Sequence, residues 1–304
     1  MSIKNKVIGK LNALVRQSYW FNNVAFPDCK KFWTQRAFNL DLVNIGSSSA
    51  KYAFNYKGLN IKAANWAVAP QSFVGDTEIL KNYFSYIKSN GGIVLIPLCP
   101  LSALGGSSDY FHDKYYSILN LSSIPHSSFK KKQEVMSVFQ HPLNYYPLIE
   151  LFRVISQIFR KENIIMDEKS IEVDANIRIQ SWMKEFSITN FNDPLSLVNQ
   201  DAKEDGVKIL SDLIQFCLDR NFKPVLIIPP MTKNLSSKLT PQMRDDFIDS
   251  FVEKANSQNI IFLSYLDNDD FIDYSLYRNS FFLNEKGARK FTSRVLHDIG
   301  LLQL

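Results

Sequence analysis

Three consecutive serines, Ser47, Ser48 and Ser49, end the segment DLVNIGSSS (41–49). A serine at a turn between a strand and a helix projects its hydroxyl into the crevice beyond the sheet, where helix N–H groups can bind an anion. The same tripeptide also suits a helix N-cap, which requires no chemistry. The sequence therefore offers a candidate nucleophile here, with a purely structural cap as the alternative.

The elements that would position these serines alternate between apolar strands and amphipathic helices. The clearest strand is a continuous apolar run bounded by Gly and Pro, GGIVLIPLCP (91–100). The predicted strands are 41–49, 61–68, 91–100, 223–231 and 259–267, and the predicted helices are 72–88, 206–220, 240–256 and 284–299. Such alternation is typical of parallel strands covered by helices on both faces. We therefore predict an α/β fold, a three-layer, doubly wound (flavodoxin-like) parallel sheet of about five strands, with ligands bound beyond the carboxyl ends of the strands.

The predicted organisation is one large domain with an N-terminal lead-in. Residues 1–39 form an amphipathic helix and lead-in, and residues 40–304 form the α/β domain. Residues 107–200 interrupt the alternation and are predicted to be a mostly helical insertion, with a helix over 145–161 and an exposed loop over 122–132.

Composition excludes several classes of protein. The chain is 45% hydrophobic with a net charge of +5, which argues against extensive disorder and does not compel nucleic-acid binding. Its three cysteines form no Cys/His cluster, so neither a disulfide framework nor a zinc site is expected. No apolar run approaches the ~20 residues of a transmembrane helix, and a hydrophobic signal core is absent. We predict a cytoplasmic protein without a metal or cofactor.

Residues 3–20 have apolar side chains at helical spacing, with lysines and an arginine interspersed. One interpretation is a helix packed on the domain. The other is a basic helix that makes a weak peripheral contact with an anionic membrane, which would place the protein at the inner membrane face.

Charged residues add few further candidates. Asp76 lies at a predicted helix start, where an acid complements the helix dipole. The aspartates that follow the last predicted strand only loosely resemble a cation site, and a solvated acidic loop is the simpler interpretation.

Two segments near opposite ends of the chain resemble signature blocks of the GDSL/SGNH hydrolase superfamily. DLVNIGSSSAKYAFN (41–55) is similar to the first block, in the Gly-Ser-Ser variant of some bacterial surface-polysaccharide proteins. NSFFLNEKGARKFT (279–292) is similar to the last block, whose usual form is Asp-x-x-His-Leu-Asn-x-x-Gly-Ala. The resemblance frames nearly all of residues 40–300.

The resemblance implies a site around the first block. Ser48 would be the nucleophile, preceded by Ser47, and its own N–H would contribute to an oxyanion hole. Ala67 stands where the second block usually has a glycine that donates a further N–H. The side-chain amides of Asn65 and Gln71 could add hydrogen bonds to a ligand, or could simply stabilise the turn.

The third block of the family usually supplies an asparagine, and the matching PLCPLS (97–102) has none. Ser102 or Cys99 falls nearest to that place. Cys99, at the end of a buried strand, is more simply a packing residue than a nucleophile.

The last block departs from the family at the residues that matter for catalysis. Asn284 matches, but Phe282 occupies the histidine position and Asn279 the aspartate position. Phenylalanine cannot accept a proton, and asparagine cannot stabilise an imidazolium by charge. Losing the base in comparable triads costs roughly 10⁴–10⁶ in rate.

Four histidines could in principle replace the missing base. His112 is the best substitute, because it follows the loop after the third predicted strand, on the rim where ligands should bind. Asp113 adjoins it, but adjacent residues on a helix do not face each other. His126 and His141 suit loop roles, and His297 suits a partly exposed helix position.

Two functions remain open from the sequence. The first is an esterase or acyltransferase acting on acyl groups of a bacterial surface glycan, with Ser48 as nucleophile. The second is a catalytically degenerate SGNH-like protein that binds or assembles a glycan. Both imply a carbohydrate or acylated glycan as the partner.

Overall fold

A computed structural model of the chain describes residues 3–147, 149–150 and 167–302. The chain forms two compact units, Met1–Arg36 with Tyr110–Ile164 and Ala37–Asp109 with Ile165–Leu304. The second unit is the larger and contains the sheet together with Ser48.

The larger unit is built on a single parallel sheet of five strands. These are β1 (Leu42–Asn44), β2 (Ala63–Asn65), β3 (Ile93–Pro97), β4 (Lys223–Ile228) and β5 (Phe262–Ser264). Their order is β2-β1-β3-β4-β5, and every neighbouring pair is parallel. The predicted α/β class and the parallel, flavodoxin-like sheet are confirmed. The order reverses between β1 and β3, and in such sheets this switch point is where ligands bind.

Twelve α-helices lie in the described part of the chain. In chain order they are α1 (Ile3–Arg16), α2 (Lys30–Trp33), α3 (Ser48–Ala53), α4 (Phe73–Tyr83), α5 (Ser102–Gly105), α6 (Phe129–Gln140), α7 (Glu168–Glu185), α8 (Leu197–Leu218), α9 (Lys233–Ser236), α10 (Pro241–Arg244), α11 (Ser250–Ala255) and α12 (Glu285–Asp298). The 3₁₀ turns are Phe84–Tyr86, Asp113–Ser117, Leu121–Ser123, Pro142–Tyr145, Asp269–Phe271 and Tyr274–Leu276, and the π-helical turns are Phe21–Ala25 and Asp245–Asp249.

Helices cover both faces of the sheet. On one face α3 contacts α12, and on the other α8 contacts both α4 and α11. This arrangement follows from right-handed crossovers, because the chain leaves β1 for β2 and then crosses back to β3. The core under α3 and α12 includes Leu42, Leu95 and Ile227 from alternate strand positions, together with Phe291 and Val295 of α12. Burying one such phenylalanine side chain stabilises the fold by about 2 kcal/mol.

The predicted elements of the larger unit all form, and most are shorter than expected. The helix predicted over 72–88 ends as an α-helix at Tyr83 and continues as a 3₁₀ turn. The helix predicted over 206–220 instead begins at Leu197, because Ser196 caps it by accepting from the Asn199 N–H. Residues 167–200 belong to the larger unit, and they carry α7 and the start of α8.

The smaller unit contains α1, α2 and α6 around an aromatic cluster. Phe139 lies 4.7 Å from Trp33 and 5.7 Å from Phe26 between ring centres. The exposed loop predicted over 122–132 is wrong at its end, because α6 begins at Phe129 after Ser128 accepts from the Lys131 N–H. Most of the helix predicted over 145–161 lies outside the described residues.

Candidate functional site

The turn after β1 is built around a glycine. Gly46 has a φ of +115°, and a Cβ at this position would lie 2.7 Å from that of Ala50. Its N–H donates to the Asp76 carboxyl group at 2.7 Å, and its carbonyl accepts from the Val68 N–H at 2.9 Å. These two bonds hold the turn between β1 and α3 against the segment that follows β2.

Ser48 is the first residue of α3, and its side chain is half-buried. Its hydroxyl has no hydrogen-bond partner within residues 3–147, 149–150 and 167–302. The Ser47 hydroxyl, by contrast, accepts from the Gln71 N–H at 3.1 Å, and the Ser47 carbonyl accepts from the Lys51 N–H at 3.0 Å. Ser47 therefore has a structural role, whereas the Ser48 hydroxyl is uncommitted among the described residues.

Asn65 joins the end of β2 to α3. Its amide nitrogen donates to the carbonyl oxygens of Lys51 and Phe54 at 3.3 and 3.1 Å. Its amide oxygen accepts from the Asn44 side chain at 3.0 Å and from the Ala67 N–H at 3.1 Å. Both atoms of the amide are engaged, and the Ala67 N–H points at Asn65. Asn65 therefore stabilises the turn, which is the structural alternative that the sequence offered for this residue, and it accepts the Ala67 N–H that the resemblance assigned to an oxyanion hole.

Asp76 is the buried acid beside this turn, with 3% of its surface exposed. Burial raises its pKa to about 7, and hydrogen bonds from the Gln71 side chain and the Gly46 N–H offset part of that rise. The Gln71 side chain is thus committed to Asp76. Asp76 connects the turns that follow β1 and β2, a role that its position at a helix start did not reveal.

Ser102 and Cys99 form hydrogen bonds with each other that close the turn after β3. The Ser102 hydroxyl accepts from the Cys99 N–H at 2.8 Å and donates to the Cys99 sulfur at 3.3 Å. Burial raises the pKa of the Cys99 thiol, which keeps it neutral and unreactive. Neither side chain reproduces the asparagine of the third family block.

The segment that carries the last block folds back on itself before α12. Tyr277 and Leu283 form an antiparallel bridge, and the Arg278 N–H donates to the Phe282 carbonyl at 2.9 Å. The Asn279 side-chain oxygen accepts the N–H groups of Phe281 and Phe282 at 3.1 and 2.7 Å. Asn279 therefore shapes the turn, and its acceptor oxygen is occupied by the backbone.

Asn284 and Gly287, which match the family pattern, build the start of α12. Asn284 accepts from the Gly287 N–H at 3.0 Å, and its amide nitrogen donates to the Ser275 and Tyr277 carbonyls at 2.7 and 3.1 Å. A Cβ at Gly287 would lie 2.1 Å from the Leu276 carbonyl oxygen. The matching part of the block is therefore explained by helix geometry alone.

Hydrogen bonds place this segment at the carboxyl end of the sheet. Thr232, four residues after β4, donates through both its N–H and its hydroxyl to the Ser280 carbonyl at 3.0 Å. Ser280 in turn donates its N–H to Asp174 of α7 at 3.0 Å, and its hydroxyl donates to the same carboxylate oxygen. The segment is held between the end of β4 and α7.

Phe282 packs against the helix that begins at Ser48. Its ring centre lies 5.0 Å from that of Tyr52, which is one helical turn after Ser48 and on the same side of α3. The first and last blocks thus meet in space through Tyr52 and Phe282. An aromatic carbon ring stands in the position that the resemblance assigns to the base.

Two arginines stack on these rings. The Arg178 guanidinium lies 5.4 Å from the ring centres of both Phe281 and Phe282. The Arg278 guanidinium lies 4.3 Å from the ring centre of Tyr52. We call Tyr52, Phe281, Phe282, Arg178 and Arg278 the aromatic–arginine cluster.

The sequence could not have predicted most of this cluster. Tyr52 is detectable in principle, since it shares a helix face with Ser48. Arg178 lies on a helix far away along the chain, and no motif marks it.

Three of the four histidines belong to the smaller unit, namely His112, His126 and His141. His112 precedes the 3₁₀ turn Asp113–Ser117, and partial burial lowers its pKa. Asp113 pairs with Lys131 at 2.8 Å. The contacts of Asp113 thus give it no role in orienting His112.

The larger unit contains one histidine, His297, near the end of α12. At 1.5 Å per residue it lies roughly 18 Å along the helix from Glu285. It pairs with Asp298 at 3.0 Å. It cannot serve as a base for a serine beside the start of α12.

In the described ranges, no group of His, Cys, Asp or Glu side chains could hold a metal ion. The aspartates after β5 have cationic partners, as Asp270 pairs with Arg294 at 2.9 Å and Asp267 pairs with Arg244. This matches the interpretation of a solvated acidic loop.

A depression of about 120 Å³ lies elsewhere in the larger unit, near Ser187, Pro194 and Phe247. Its volume is well below the roughly 300 Å³ at which ligand pockets begin.

No protein-family model and no curated protein matches its sequence.

Proposed function

We propose that this chain is a divergent SGNH-like protein that binds a glycan without hydrolysing it. The binding site is the surface formed by Ser48 and the aromatic–arginine cluster, which we call the Ser48 edge. The observation that carries the proposal is the contact between Phe282 and Tyr52, 5.0 Å apart between ring centres. It supports the proposal because the family resemblance would require a proton acceptor at position 282, where a phenylalanine instead packs against Tyr52, one helical turn from Ser48.

The chemistry around Ser48 disfavours hydrolysis. A serine hydroxyl is a weak nucleophile at neutral pH unless a base accepts its proton. The Asn279 oxygen is occupied by backbone N–H groups, and the Ala67 N–H is bonded to Asn65. Losing the base alone raises the barrier by ~6–8 kcal/mol.

The aromatic–arginine cluster and Ser48 favour binding of a sugar. Aromatic rings are flat and apolar, and here polar side chains lie next to them. This combination suits a sugar, which has apolar C–H groups as well as hydroxyl groups. The half-buried Ser48 hydroxyl, one helical turn before Tyr52, adds a donor and an acceptor. Glycan binding is therefore the function that this edge supports best.

An acyl-ester hydrolase or acyltransferase is the second candidate. It is favoured by one observation, namely that the Ser48 hydroxyl is uncommitted among the described residues, whereas Ser47 and Ser102 are both bonded. A base supplied from outside the larger unit would be needed to activate it.

The two candidates are separated by a fluorophosphonate probe and p-nitrophenyl acetate, with Ser48→Ala as the control. For a glycan-binding protein we expect neither labelling nor turnover above the Ser48→Ala background, together with binding of a bacterial surface glycan. Labelling that disappears in Ser48→Ala would favour the hydrolase.

We also propose a weak contact between α1 and an anionic membrane surface. Four apolar side chains of α1 are substantially exposed, with Val7 at 51% and Leu14 at 63% as the most exposed. The other two are Ile8 and Leu11, and all four lie on one side of the helix. Exposed lysines of the same helix supply positive charge. Within the described residues, no helix has the length and apolar character needed to cross a membrane.

A further inference from the structure

The guanidinium of Arg178 has no counterion among the residues that the structure describes. Its Nε is buried without a hydrogen-bond partner, and the whole group forms no ion pair or hydrogen bond with the described residues. Its contacts are instead the rings of Phe281 and Phe282, each 5.4 Å from the guanidinium carbon to the ring centre. The cation has lost part of its hydration on these rings, and no described side chain supplies an anion in exchange.

The nearest acid on the same helix is directed elsewhere. Asp174 lies four residues before Arg178 on α7, which is the spacing of a helical ion pair. Its carboxylate instead accepts both the N–H and the hydroxyl of Ser280. The fold thus uses Asp174 to hold the turn and leaves Arg178 without a partner among the described residues.

An unpaired arginine of this kind favours an anionic ligand. Arginine keeps its charge at any physiological pH, so burial cannot remove the cost by deprotonation. Its planar fork matches the two oxygens of a carboxylate or phosphate. Rings on which the guanidinium stacks restrict its orientation, which lowers the entropy lost when an anion binds.

A second arginine lies on the same pair of contacting rings. Arg278 stacks on Tyr52 at 4.3 Å, and Tyr52 contacts Phe282, on which Arg178 stacks. The exposed Arg278 side chain forms no hydrogen bond or ion pair within the described ranges. Two guanidinium groups that lack counterions in this part of the chain therefore flank the contact beside Ser48.

We propose that Arg178 and Arg278 bind an acidic group of the ligand, a carboxylate or a phosphate carried by a sugar. This inference rests on the proposed glycan-binding function and specifies its substrate class. Phe281, Phe282 and Tyr52 orient the two cations.

The test uses the full chain titrated with glucuronate, inorganic phosphate and neutral glucose, with binding followed by the ligand-induced rise in Tm. We expect glucuronate, phosphate or both to raise the Tm more than glucose does. The acidic probe that raises the Tm shows whether the site binds a carboxylate or a phosphate. We expect Arg178→Gln to weaken this binding at least about tenfold, and Arg178→Lys, which keeps the charge without the fork, to weaken it less.

Arg220→Gln is the matched control. Arg220 is also stacked on two phenylalanines, 3.6 Å from the Phe216 ring centre and 5.0 Å from that of Phe84. It lies three residues before β4, at the amino end of the strands, whereas Ser48 follows the carboxyl end of β1. Arg220→Gln should bind the acidic probes like the wild type.

Three results would overturn the inference. These are no response to either acidic probe in the folded wild type, equal binding by Arg178→Gln, or an equal loss in Arg220→Gln. Glycan binding that is unaffected by Arg178→Gln would refute the anion site and leave the proposed function standing. Ser48-dependent ester hydrolysis together with Arg178-dependent anion binding would refute the proposed function and leave the anion site standing.

Discussion

The ring of Phe282 packs against that of Tyr52, with 5.0 Å between their centres. Tyr52 is one helical turn from Ser48, so this contact joins a segment near the end of the chain to the turn after the first strand. Phenylalanine contributes packing at the position where the family resemblance would have placed a histidine base.

The start of α12 provides a stability test of this arrangement. We expect Gly287→Ala to destabilise the protein by about 3 kcal/mol, because the new Cβ would lie 2.1 Å from the Leu276 carbonyl oxygen. Gly9→Ala is the control, since a Cβ there meets nothing within 4 Å. It should be neutral or stabilise by up to about 1 kcal/mol. Urea denaturation measures both, and wild-type stability in Gly287→Ala would show that α12 begins differently.

The sequence predicted the scaffold well because strands and helices leave local signals. The apolar run that forms β3 is bounded by Gly and Pro, and the pattern that forms α12 begins at a capping asparagine. Strand order could be reduced to few possibilities by the handedness of crossovers. The α/β class and the parallel sheet followed from these signals.

The roles of individual polar residues could not be predicted in the same way. Asn65 and Gln71 have amides that suit a ligand or a turn equally well, and only the geometry shows that both are committed to the protein itself. Arg178 carries no local signal at all, because its significance comes from two rings on a distant segment.

The buried carboxyl group of Asp76 predicts a specific pH dependence of stability. Its pKa is about 7 in the folded state against 3.8 ordinarily. Between these values the folded protein binds a proton that the unfolded chain has released, so stability falls as pH rises. The contribution is fully present below about pH 4 and is lost as pH rises through about 7. The full difference corresponds to about 4 kcal/mol.

Asp76→Asn removes this titration and keeps an oxygen that can accept from Gly46 and Gln71. We expect its unfolding free energy, measured by urea titration from about pH 4 to about pH 8, to gain on that of the wild type as pH rises. Asp249→Asn, which removes an exposed carboxylate, should follow the wild-type profile. Parallel curves for wild type and Asp76→Asn would contradict the assigned burial of Asp76.

The exposed apolar face of α1 predicts binding to anionic vesicles. We expect the double variant Leu11→Glu with Leu14→Glu to sediment with phosphatidylserine-containing vesicles at least about tenfold less than the wild type, because it removes two apolar anchors and adds like charge. Leu197→Glu with Val198→Glu is the control, since both residues are exposed in the larger unit. Equal sedimentation of wild type and α1 variant would eliminate the membrane contact.

The most direct test introduces the acid–base pair that the family resemblance implies, using the double variant Phe282→His with Asn279→Asp. The carboxylate introduced by Asn279→Asp can still accept the two backbone N–H groups that now bond to the Asn279 oxygen. Fluorophosphonate labelling of Ser48 is the measurement, with Ser48→Ala as the blank. We predict negligible labelling of the wild type and at least about a hundredfold faster labelling of the variant. Rapid, Ser48-dependent labelling of the wild type would contradict a site that lacks its base, as would a folded variant that labels no faster.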